Sequence, residues 1–61
     1  AVLSAKLANV KITADPGSGS EVVATLAKGE EVVYLGESQD GYVLIQGAEA
    51  EGWVREILMK E

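Results

Sequence analysis

The 61-residue chain has no cysteine, no histidine and no phenylalanine, and only one proline. Without cysteine no disulfide can staple the fold, and without His or Cys no zinc-finger-type ligand set can be built. The same two absences remove the Ser-His and Cys-His pairs used in most nucleophilic hydrolysis. Basic residues are few as well, five against ten acidic, for a net charge of −5. Binding to DNA or RNA relies on Lys and Arg to neutralise phosphates. Lys6, Lys11, Lys28, Arg55 and Lys60 are scattered among the acids, and no basic patch can be drawn from them. Neither nucleic acid nor an anionic membrane surface is therefore an expected partner. No apolar run is long enough to insert across a bilayer. The opening AVLSA lacks the charged region of an intact signal peptide.

What is present is mainly aliphatic: 48% of the residues are hydrophobic and only 5% aromatic. A chain of this size buries only about 60% of its unfolded surface, so a single hydrophobic core must carry one domain, residues 1–61. Turn residues recur at short intervals in DPGSGSE (15–21), KGEE (28–31), GESQDG (36–41) and QGAEAEG (46–52). Between them lie LANVKI (7–12), EVVATL (21–26), VVYLG (32–36), YVLIQ (42–46) and GWVREILM (52–59). Short β-branched runs at this spacing predict a small antiparallel barrel or sandwich of five to six strands. A helix over SEVVATLAKGEE is the alternative, with Val22 and Leu26 at helical spacing. Its paired valines and early glycine favour a strand. Alternation puts Val10 with Ile12 on one face and Val43 with Ile45 on another, leaving Tyr42 and Leu44 opposite. The expected core is Val10, Ile12, Val23, Leu26, Val32, Val43, Ile45, Val54 and Leu58.

Few residues are placed for chemistry. Glu30–Glu31 and Glu49–Glu51 are pairs of neighbouring acids, but paired-carboxylate catalysis needs a deep cleft that so short a chain does not form. The Gly-x-Gly in DPGSGSE lacks a third glycine, a following helix and a phosphate-loop lysine, so it reads as a turn. Asp15 and Asp40 have no calcium-loop spacing around them. Neither enzyme activity nor a cofactor nor a metal is expected. The aromatics are Tyr34, Tyr42 and Trp53. Tyr42 opens a strand after Asp40-Gly41, and Trp53 follows Gly52, which admits a neighbouring backbone or a ligand. Trp53 and Tyr34 plug the core, or Tyr42 and Trp53 form a shallow binding surface. Both readings stand at this level.

The ordered set Asn9-Val10-Lys11, Pro16, Val23, Leu26, Gly29, Val32, Gly41-Tyr42 and Gly52-Trp53-Val54 resembles the bacterial Src-homology-3-type domain, over residues from about 7 to 58. The resemblance implies an SH3-like barrel in which Trp53 begins a late strand. It also implies a 3₁₀ turn over 55–57 and a closing strand over 57–59. Lys11 stands where the family has Arg, Tyr42 where it has Trp, and the stretch before Pro16 is longer. Too few aromatics are present to line a eukaryotic-type proline-peptide groove.

The implied function is a non-catalytic module of a larger bacterial protein that binds a peptide or protein. The alternative is an exported module that targets peptidoglycan, with the cell envelope as its compartment. The net negative charge favours the former, because envelope polymers are often anionic. The expected contact surface is Tyr42 and Trp53, bordered by the Asp15–Ser20 and Glu37–Asp40 loops. Asp15, Glu37 and Asp40 would make it acidic, with a cationic peptide as its partner.

Overall fold

The computed structural model describes residues 1–17 and 19–61. Seven strands follow one another: β1 (Val2–Ala5), β2 (Val10–Thr13), β3 (Val22–Leu26), β4 (Glu31–Gln39), β5 (Tyr42–Gln46), β6 (Glu51–Arg55) and β7 (Met59–Lys60). A 3₁₀ turn over Glu56–Leu58 precedes β7. All pairings are antiparallel, in one sheet of order β3-β2-β6-β5-β4-β1-β7. Every strand contributes to a single buried cluster: Leu3 and Ala5, Val10 and Ile12, Leu26, Val32, Val43 and Ile45, Val54, and Met59. One cluster can hold residues from both ends of the sheet only if the sheet curls on itself, as in a partly open SH3-like barrel.

Two sites show why the strands meet where they do. Asp40 and Gly41 have φ of 53° and 81° between the paired residues Gln39 and Tyr42. Positive φ at both central residues is what a two-residue hairpin turn matched to strand twist requires, and Asp-Gly accepts it at low cost. At Gly52 the reason is a close approach. A Cβ there would lie 2.6 Å from Ile12 Cγ2 and 2.6 Å from the Thr13 carbonyl oxygen. The absence of a side chain is what lets β6 lie against β2.

The all-β class is as the sequence predicts, and the 3₁₀ turn before the last strand is as the family resemblance implies. The strand count is seven because Val2–Ala5 pairs with both β4 and β7. The span 21–28 holds strand β3, not a helix. GESQDG is not a free loop: β4 runs through to Gln39, with the three residues between Tyr34 and Ser38 facing the single residue Leu44 between Ile45 and Val43, a bulge around Gly36. The 3₁₀ turn sits one residue later than expected, and β7 two residues later. Within the core, Val23 is a correction. It is 46% exposed, because residues three apart in a strand face opposite sides, so Ala24 rather than Val23 shares the inward face with Leu26. Leu58 packs only against the rim of the core, and Met59 is the buried residue at that end. The Asp15–Ser20 loop reading includes Ser18, which lies outside the described residues.

Candidate functional site

Alternation on β5 turns Val43 and Ile45 inward, so Tyr42 and Leu44 point to the outer face of the sheet. On β6, Val54 points inward and Trp53 and Arg55 outward. Register then places Tyr42 opposite Arg55, and Leu44 opposite Trp53. On the other side of β6, Thr13 of β2 pairs with Trp53. The Thr13 hydroxyl donates to the Asp15 carbonyl at 2.8 Å, with the Trp53 carbonyl as a second acceptor at 3.2 Å. This hydroxyl ties the start of the 14–21 loop to the tryptophan strand.

Tyr42 is buried, 8% exposed, yet it is not part of the central cluster. It lines a surface groove of about 350 Å³, near the lower end of the range for small ligand sites. Asn9, Lys11, Thr13, Ser20, Val22, Arg55 and Leu58 are the rest of its lining, with Arg55 of β6 lying between the β2 residues and Tyr42 of β5. The Arg55 guanidinium lies 5.9 Å from the centre of the Tyr42 ring, within the reach of a cation–π contact, which restrains the cation at the groove edge. Two of the five basic residues thus reach this groove, and no carboxylate lines it.

The sequence-predicted site is only partly brought together. Tyr42 lines the groove. Trp53 is half-buried on the same sheet face but one residue pair away, beside Leu44 and Thr13. It neither plugs the core nor lines the groove. Tyr34 does pack against the core. Asp15, Glu37 and Asp40 are exposed and contribute nothing to the groove lining. Glu37 lies on the β4 bulge and Asp40 in the hairpin turn. The groove is therefore cationic rather than acidic. Lys11 and Arg55, which line the groove, are not among the expected contact residues because the sequence separates them by most of the chain. The signal for them was the outward alternation of Lys11 from Val10 and Ile12, and of Arg55 from Val54.

The bacterial SH3 domain family model matches residues 7–57. That match covers most of the chain. The chain belongs to the bacterial SH3 domain family. SH3 domains are generally non-catalytic binding modules, and this one has a body of 24 × 21 × 19 Å around one core, with its groove on the surface. No curated protein and no solved structure matches the chain significantly. Among the described residues, no helix of this SH3 domain is long and apolar enough to cross a membrane.

Proposed function

We propose that this SH3 domain serves a larger bacterial protein as a non-catalytic peptide-binding module, and that its groove takes a peptide segment with a free carboxylate. The observation that carries this reading is the pairing of Lys11 and Arg55 around Tyr42 in a groove without a carboxylate of its own. A guanidinium presents a planar fork that matches a carboxylate in two parallel hydrogen bonds. The tyrosine face beside it offers apolar contact at low entropic cost. A cationic peptide, the partner expected from Asp15, Glu37 and Asp40, would meet two like charges here.

The wall-targeting reading gains support from the same pair. Its main obstacle was the net charge of −5, but the charge that a bound peptide meets is local. The peptides of peptidoglycan carry free carboxylates and would suit Lys11 and Arg55, which makes the cell envelope the compartment this reading favours.

The test uses two forms of one short peptide, with a free or an amidated C-terminus, titrated calorimetrically against the parent chain and Arg55→Gln. The free acid should bind at least about tenfold more tightly than the amide, and the difference should vanish in Arg55→Gln. Equal affinity for both forms, or tighter binding of a lysine-rich peptide, would overturn the proposal. Co-sedimentation with purified peptidoglycan, lost in Arg55→Gln, would assign the peptide to the wall.

A further inference from the structure

The three remaining cations also converge. Lys60 of β7 stands opposite Ser4 of β1, whose hydroxyl donates to the Lys60 carbonyl at 3.5 Å. The Lys6 amide donates to the Leu58 carbonyl at 2.9 Å. The Gly29 amide donates to the Ala5 carbonyl at 2.8 Å, which draws the β3–β4 turn, and Lys28 with it, against the end of β1. Together these contacts bring Lys6, Lys28 and Lys60 around one open hollow of about 240 Å³, with Ser4, Ala5 and Gly29 as the rest of its lining. Residues far apart in the sequence thus form a basic patch, which corrects the reading that none exists.

Two features set this hollow apart from an ordinary solvated surface, where charges of both signs alternate. First, no carboxylate lines it, although the chain has twice as many acids as bases. Second, the nearby acids make other contacts or line neighbouring hollows. Glu30 accepts a hydrogen bond from the Ala27 amide through its Oε1 at 3.0 Å. Glu31, on the far side of Ser4, lines a different hollow with Val2 and Val33. Glu56 and Glu61 line the hollow beyond β7, which Lys60 shares.

We infer that the end of β1 is a phosphate-binding site, in which Lys6, Lys28 and Lys60 take up a phosphate-bearing anion. Three compact ammonium groups, each with three donors, suit the several oxygens of a tetrahedral phosphate better than a planar carboxylate, for which they offer no fork. No aromatic ring lines the hollow, so it offers a sugar or base nothing to stack on. Contacts made by exposed lysines are screened by salt, so the affinity is modest and falls as ionic strength rises. The site is separate from the Tyr42 groove and does not depend on what that groove binds.

The test is an NMR titration of the isotopically labelled chain with inorganic tripolyphosphate at low salt. Amide shifts should move at Lys6, Lys28, Gly29 and Lys60, and should move to the same extent in Arg55→Gln, which removes the guanidinium from the Tyr42 groove. Lys6→Gln or Lys28→Gln should each weaken binding about fivefold, the effect expected for one surface lysine facing an array of anions. Lys60→Gln should do less, given the acids beyond β7. All three positions are exposed, and an unchanged melting temperature shows that each variant is folded. A parallel sedimentation with phosphatidylglycerol vesicles identifies the source: retention points to a lipid headgroup, and its absence to a soluble or polymeric phosphate. Both results agree with a phosphate site. No shift at the three lysines, shifts confined to the groove, or binding unaffected by Lys6→Gln and Lys28→Gln would overturn it.

Discussion

Replacing Gly52 with alanine tests how closely the barrel is packed. A Cβ at this position would sit 2.6 Å from Ile12 Cγ2 and 2.6 Å from the Thr13 carbonyl oxygen, closer than real Cβ atoms approach anything. Neither neighbour can step aside cheaply. The first is a branch methyl on a residue only 1% exposed, and the second is backbone in the β2–β6 pairing. Relief requires β2 and β6 to separate, an overpacking cost of about 1–3 kcal/mol. A domain of this length has roughly 3–9 kcal/mol of stability in total. The melting temperature, followed by far-ultraviolet circular dichroism and Trp53 fluorescence, should fall by about 5–20 °C. Gly19→Ala is the control, because nothing lies within 4 Å of a Cβ at that position. If Gly52→Ala melts within about 2 °C of the parent, the close approach of β2 and β6 is wrong, and so is the explanation of why glycine precedes the tryptophan.

Thr13→Val keeps the shape of the side chain but removes the hydroxyl that reaches the Asp15 and Trp53 carbonyls. It should cost about 1 kcal/mol in a denaturant titration, and an unchanged midpoint would contradict the role assigned to that hydroxyl. Tyr42→Ala should lose both stability, by about 3 kcal/mol as for other buried aromatics, and peptide binding. Tyr42→Phe should keep both, so a binding loss in the phenylalanine variant would mean that the hydroxyl, not the ring face, makes the contact. The isolated chain should show no turnover of peptide or peptidoglycan substrates; measurable turnover abolished by one carboxylate substitution would refute the proposal of a non-catalytic module.

Much of the fold was legible because the chain is dense in turn chemistry. GESQDG reads as a turn ahead of Tyr42, which the structure narrows to Asp40-Gly41, and alternation at Val10/Ile12 and Val43/Ile45 puts those residues on the buried face. Where the pattern misled, a local cause is visible. Val22-Val23 presents two adjacent β-branched residues, and only the register with β2 shows that Ala24 and Leu26 face inward while Val23 faces out. The role of Val2–Ala5 was hidden because its pairing partners begin about thirty and sixty residues later. The candidate site was harder to read than the fold for the same reason. Asp15, Glu37 and Asp40 stood out as acids in turns, yet a groove is built from outward-facing residues of different strands. Lys11, Tyr42 and Arg55 meet only after β2, β6 and β5 are placed side by side, and Lys6, Lys28 and Lys60 meet only after the sheet has curled.

The proposed role depends on peptide binding at the cationic groove around Tyr42. The most direct test is chemical-shift mapping on the isotopically labelled chain with a short peptide ending in a free carboxylate. The largest changes should fall on the amides of Asn9, Lys11, Tyr42 and Arg55 and on the Arg55 guanidinium resonance, with the Asp15, Glu37 and Asp40 amides little changed. Largest changes at Asp15, Glu37 and Asp40, with Lys11 and Arg55 silent, would contradict it and restore the acidic surface expected from the sequence.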